Sequence, residues 1–127
     1  MSESVALVRE ALADLGYKVE EDDGEIITVR FQLCVIHICP DMECYGFVNV
    51  FLADFEKVTA ENHTELLEKC NLLTSKVKQV KFYLYQGIVM ISSEFYFQKK
   101  TDLKFQLKTA LNQITRARAV YYETRIN

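Results

Sequence analysis

Apolar and polar positions alternate along this chain in two distinct periods, and the changes of period mark out its elements. Val5, Val8, Leu12 and Leu15 recur at helical spacing with Ala11 beside them, which predicts a first helix over residues 4–15. Ser2 or Ser4 can cap it, and Gly16 supplies the left-handed residue that ends it. Residues 20–24, Glu-Glu-Asp-Asp-Gly, read as a polar turn. The period then shifts to two. Ile27, Val29 and Phe31 alternate with Thr28, Arg30 and Gln32, and residues 33–39 are almost wholly apolar. Residues 26–39 make fourteen consecutive β residues, beyond the usual strand of about five or six, so a bend or tight hairpin is expected near Gln32–Cys34, although no Gly or Asn marks it. Pro40 opens a turn, and a third strand is predicted over residues 45–52.

Asn62 followed by Glu65 resembles a capping box for a second helix, whose apolar side is Leu66, Cys70, Leu73 and Val77 and whose end falls near Thr74 or Ser75. A hairpin follows: residues 80–85, a Gln86-Gly87 turn, and a return strand over residues 88–97. The last helix starts near Thr101 or Asp102 and runs close to Tyr122. Leu103, Leu107, Ala110, Leu111, Ile114, Ala117 and Tyr121 fall within an arc of about 120° on it. The predicted order is α-β-β-β-α-β-β-α. Clustered strands rather than strict βαβ alternation indicate an α+β fold, an antiparallel sheet packed by helices.

Several strands are apolar on both sides. Tyr83 and Tyr85 oppose Phe82 and Leu84; Ile88 and Met90 oppose Val89 and Ile91; Phe47 and Phe51 oppose Val48 and Val50. An antiparallel sheet with helices on one side ordinarily turns a polar face to water. Either the second helix covers the other face or a partner chain does. Phe47, Tyr83, Tyr85 and Met90 are the residues expected to form such a partner or dimer surface.

Composition narrows the function classes. The chain has 127 residues, half of them hydrophobic, with four Gly and one Pro; this excludes a disordered or low-complexity chain and reads as one domain, 1–127. The net charge of −3 argues against a dedicated nucleic-acid binder. Charge is unevenly spread: residues 1–25 carry a net −6 and residues 99–127 a net +5, so the two ends are expected to lie near each other. The basic residues of the last helix form no single stripe and read as a solvated face. The longest stretch without Asp, Glu, Lys or Arg is twelve residues, short of the roughly 20 a membrane span needs, and the first residues lack the basic start of a signal peptide. A soluble, cytoplasmic protein with reduced thiols is the expectation.

Catalytic and binding motifs are weak. Residues 43–50, Glu-Cys-Tyr-Gly-Phe-Val-Asn-Val, half-match the aromatic strand of RNA-recognition domains, but Glu43 stands where a phosphate-binding cation belongs. Cys34, His37, Cys39 and Cys44 suit zinc by type and not by spacing, since strand alternation places Cys34 opposite His37 and Cys39. His63 falls in the exposed first turn of the second helix, and His37 reads as a satisfied core histidine. No nucleophile elbow, P-loop, dinucleotide fingerprint or zinc-protease motif occurs, so neither an enzyme nor a cofactor is expected.

The sequence resembles a known family in the opening helix through Leu15-Gly16-Tyr17-Lys18-Val19-Glu20, in Val29-Arg30-Phe31, in residues 76–84 (Lys-Val-Lys-Gln-Val-Lys-Phe-Tyr-Leu), and in Val89-Met90-Ile91-Ser92-Ser93-Glu94. These pieces and their order resemble the YbjN-like branch of the bacterial type III secretion chaperone-like fold. The glycine often found between the first two strands of that family is absent here, where Leu33-Cys34 stands. The resemblance implies a non-enzymatic module, since YbjN-like proteins are described as regulators without established catalytic residues, and secretion chaperones as acidic dimers that hold an effector segment along apolar surface. The leading expectation is therefore a protein-binding module, chaperone-like or regulatory, able to form a homodimer. The alternatives are a dedicated secretion chaperone and a small zinc-binding domain around Cys34–Cys44, the latter requiring stoichiometric zinc in elemental analysis.

Overall fold

Burial along the middle strands alternates residue by residue, which is how one face of a sheet is set against a core. The computed structural model describes residues 3–53 and 55–125. The elements are α1 (Glu3–Asp14), β1 (Val19–Asp22), β2 (Ile27–Phe31), β3 (Cys34–Pro40), β4 (Phe47–Leu52), α2 (His63–Lys76), β5 (Lys81–Tyr85), β6 (Ile88–Tyr96) and α3 (Lys100–Glu123). The strands form one antiparallel sheet in the order β1-β2-β3-β4-β6-β5. This is the α+β architecture expected from the sequence.

The short edge strand β1 stands within the segment expected to be wholly a turn. Its residues, Val-Glu-Glu-Asp, are all exposed and carry no apolar alternation; pairing with β2 makes the strand, across an irregularity between Val19 and Glu21. The turn itself is confined to residues 23–26, where the Asp23 carboxylate accepts backbone N–H groups from Glu25 and Ile26. The expected hairpin between β2 and β3 is present. Gln32 and Leu33 are its two central residues, both left-handed at φ 48° and 68°. Tyr45 and Gly46 belong to the turn before β4 rather than to the strand. Gly46 has φ +86°, and an added Cβ would lie 2.6 Å from the Phe97 carbonyl oxygen, so the turn is closed onto the end of β6. Ser4 lies inside α1 rather than at its cap, and Ser2 is outside the described residues. Asn62 makes no side-chain cap: its amide oxygen accepts from Thr59 N–H and its amide nitrogen donates to the Lys57 carbonyl, folding the preceding loop instead.

One side of the sheet carries the core. Cys34, Ile36 and Ile38 of β3, Val48, Val50 and Leu52 of β4 and Val89, Ile91 and Phe95 of β6 are buried with Val5, Val8 and Leu12 of α1 and Leu103, Leu107, Leu111, Ile114 and Tyr121 of α3. We call this the helix face. α2 adds Leu66, Cys70 and Leu73 to the same cluster while lying along β5. There the Thr74 hydroxyl accepts from Phe82 N–H at 2.7 Å and donates to the Phe82 carbonyl at 3.3 Å. The oppositely charged ends of the chain do meet: Lys100 of α3 pairs with Glu10 and with Asp14 of α1, and Lys104 with Asp14 at 2.9 Å. Among the described residues no helix is long and apolar enough to cross a membrane.

Candidate functional site: the open face of the sheet

The three helices bury their apolar residues on one side, so the second helix does not cover the sheet's other face. The partial exposure of alternate residues follows from this: Val35, His37 and Cys39 of β3 and Phe47, Asn49 and Phe51 of β4 are half-buried. Phe47, Tyr83, Tyr85 and Met90 all stand on this open face. The register decides it, since Phe47 pairs with Tyr96 and Tyr83 with Met90, and cross-strand partners share a face. Phe47 packs its ring 4.8 Å from that of Tyr96. Met90 is buried beneath its neighbours at 7% exposure, whereas Tyr85 is 53% exposed at the β5–β6 turn.

A polar row crosses the middle of this face, and the sequence pattern does not reveal it. The Cα partners run Glu21, Thr28, His37, Phe51, Ser92, Lys81, one residue on each of the six strands. Thr28 Oγ1 and His37 Nδ1 share a hydrogen bond of 2.9 Å, and the imidazole lies 5.2 Å from the Phe51 ring. Lys81 pairs with Glu94, a contact that pushes the ammonium pKa up, and it also stands over the Tyr83 ring. Glu21, Thr28 and His37 line one shallow cavity of about 470 Å³ together with Asp22 and Asp23. Two atoms on this face are buried without a hydrogen-bond partner among the described residues, Asn49 Oδ1 and Ser92 Oγ. A buried polar atom left unpaired costs about 1–3 kcal/mol, and a water or a side chain that reached this face could pair with either. Asn49 was visible in the sequence as a lone amide between Phe47 and Phe51; Ser92 carried no such signal.

The sequence-derived zinc cluster does not assemble. Cys34 is buried on the helix face, His37 and Cys39 stand on the open face, and Cys44 is exposed in the β3–β4 turn. Among the described residues, no three His, Cys, Asp or Glu side chains converge as metal ligands. Burial pushes the Cys39 thiol up, reinforced by Asp41, Glu25 and Asp23, which favours the protonated, non-ligating form. The half-match to an RNA-binding strand also breaks up, because Tyr45 sits in the turn and Val48 points into the core. His63 lies exposed at the start of α2.

No family model and no curated protein matches the chain. Solved structures do match it. YbjN from E. coli, a proposed transcription regulator, superposes with a TM-score of 0.73 at 11% identity, covering 97% of this chain and 96% of YbjN. The fold is YbjN-like. An uncharacterized protein from Methanothermobacter thermautotrophicus shares the YbjN-like fold at a TM-score of 0.66 and 16% identity, with 94% of each chain covered. So does the Yersinia pestis type III secretion chaperone SycH, solved in complex with a stable fragment of YscM2. Its TM-score is 0.53 at 14% identity, over 88% of this chain and 97% of SycH. These likenesses extend to the fold and are too distant in sequence to transfer any residue's role.

Proposed function

We propose that this protein is a non-enzymatic, cytoplasmic protein-binding module, chaperone-like or regulatory, which docks a protein partner on the open face of its sheet. The observation that carries the reading is the uncovered face itself, with Phe47, Tyr83, Tyr85, Met90 and Phe51 on one side of a sheet whose other side already holds the whole helix layer. Aromatic side chains interleaved with polar groups on an uncovered face are the usual make-up of a protein interaction site. The presence of a regulator and a chaperone among proteins of this fold agrees with it. Replacing Tyr83 and Tyr85 together by Ser removes two aromatic anchors from that face. The expected result is a change in assembly state, or partner binding about tenfold weaker or more by calorimetry. If neither moves, the face is not the docking surface.

A second reading, a dedicated secretion chaperone, draws on the likeness to SycH. It predicts that the protein shields the N-terminal segment of one partner from limited proteolysis.

A further inference from the structure

Three cations of this chain line one small cavity, and no carboxylate stands among them. The cavity, about 280 Å³, lies where the link from α2 to β5 meets α3. Lys76, Val77 and Lys78 form one wall, and Gln113, Arg116 and Val120 the other. We propose that it binds a phosphate-bearing anion through its phosphoryl oxygens. None of these residues belongs to the sheet, so the inference is independent of any docking on the open face.

The walls are set by local structure. Gln113, Arg116 and Val120 are three and four residues apart on α3 and therefore share one side of it. Val77 and Val120 pack against the core and give the cavity an apolar floor. The Gln113 amide nitrogen donates to the Lys78 carbonyl at 2.9 Å, which ties the link to α3. On one side of that tie the Val77 N–H donates to the Leu73 carbonyl; on the other, Val80 is buried. Between these anchors Gln79 is held in the left-handed region at φ 66°, a conformation that costs a non-glycine residue free energy. The fold thus brings Lys76 and Lys78 up to Arg116 before any ligand arrives.

Charge selects the ligand. Arg9, Arg30, Lys81, Lys100 and Lys104 are each held by a carboxylate. Among the described residues Lys76, Lys78 and Arg116 meet none, although acids outnumber bases in the chain. The end of α2 accounts for one of the three at most, since a helix C-terminus carries about half a negative charge and Lys76 lies in the last turn. Lys78 and Arg116 remain in surplus. A carboxylate would bring one negative charge and a phosphate monoester about two. The guanidinium presents a planar fork to a pair of oxygens, the ammonium groups add point charges, and the Gln113 amide has a second N–H to offer. The volume falls just below the roughly 300–1,000 Å³ of sites that enclose whole small molecules, which suits the phosphoryl group itself. The larger cavity across the link, about 540 Å³, fits an anion less well, because Glu94 lines it and already holds Lys81.

The test is calorimetric titration with inorganic pyrophosphate at about 0.15 M salt, where diffuse attraction is screened. One saturable site is expected on the native chain. Arg116→Gln and Lys78→Gln should each weaken binding about tenfold or more. Lys108→Gln removes a charge from the same helix away from the cavity and should change it less than about twofold. All three side chains are exposed, and circular dichroism checks that the variants fold. Pyrophosphate should also raise the melting temperature of the native chain and leave that of Arg116→Gln unmoved. Adenosine diphosphate separates the sources: equal or weaker binding assigns the site to free inorganic phosphates, tighter binding to nucleotides, and either keeps it. The inference is overturned by a native chain that binds no pyrophosphate, or by binding that neither Arg116→Gln nor Lys78→Gln weakens. An equal loss in Lys108→Gln would reduce the effect to net charge, and succinate binding as tightly as pyrophosphate would remove the preference for phosphate; each overturns it too.

Discussion

Leu33 is 88% exposed at the tip of the β2–β3 hairpin, with a backbone conformation that L side chains rarely adopt. Two-residue hairpin turns of this kind favour Asn-Gly, because both central residues need positive φ to match the twist of the strands. Here Gln32 and Leu33 fill those places at φ 48° and 68°, while the β5–β6 turn uses Gln86 and Gly87 at 50° and 81°. A non-glycine residue held in the left-handed region costs about 1–3 kcal/mol. Replacing Gln32-Leu33 by Asn-Gly should therefore raise the unfolding free energy by about 1 kcal/mol in urea titration. No gain, or a loss, would mean that the present pair makes compensating contacts. This turn is also the point at which sequence reading was least informed. Strand length demanded a reversal near Gln32, yet the residues that ordinarily signal one were missing.

Among the elements, α1 is tied to its surroundings by charge as well as by Val5, Val8 and Leu12. The Lys104 ammonium, with Lys100 beside it, holds the Asp14 carboxyl below its usual range; Arg9 and the Gly24 amide do the same for Asp22, joining α1 to β1. A carboxylate whose pKa is lowered by folding stabilises the protein above its unfolded value, about 4, and ceases to do so as pH falls through the lower folded value. The melting temperature is thus expected to hold from pH 7 to about 5 and to fall below about pH 4. Asp22→Asn should flatten part of that acid decline in thermal scans; an unchanged profile would mean that the Arg9 contact adds nothing. Elements with an apolar period were legible in the sequence, and β1 was not, because Val-Glu-Glu-Asp owes its strand form to pairing with β2 alone. Asn62 misled for a related reason: its side chain could bond in two directions, and the loop behind it won. The period of two separated Tyr83 and Tyr85 from Phe82 and Leu84, whereas joining them to Phe47 and Met90 on one face needed the register between strands. Joining Glu21 to Lys81 across six strands needed the strand order, which local pattern does not contain.

At the scale of the whole molecule, the four thiols report how the layers are sealed. Cys34 and Cys70 are buried, Cys39 is half-buried and Cys44 is exposed. Burial pushes the Cys70 thiol up to about 11, so it is protonated and inert at neutral pH. Titration of the native protein with a thiol reagent should modify Cys44 first and leave Cys34 and Cys70 untouched until denaturant is added. Rapid labelling of Cys70 would place α2 away from the sheet. The hydroxyl of Thr74, set against the backbone of Phe82, has a consequence for crowded solutions. It occupies hydrogen-bonding groups that another strand would need in order to extend the sheet past β5. At the opposite margin β1 is four residues long, acidic and irregular in register. Growth by strand addition, the route to fibres, is thereby blunted at both ends of the sheet, which leaves its faces rather than its edges as the surfaces open to other chains.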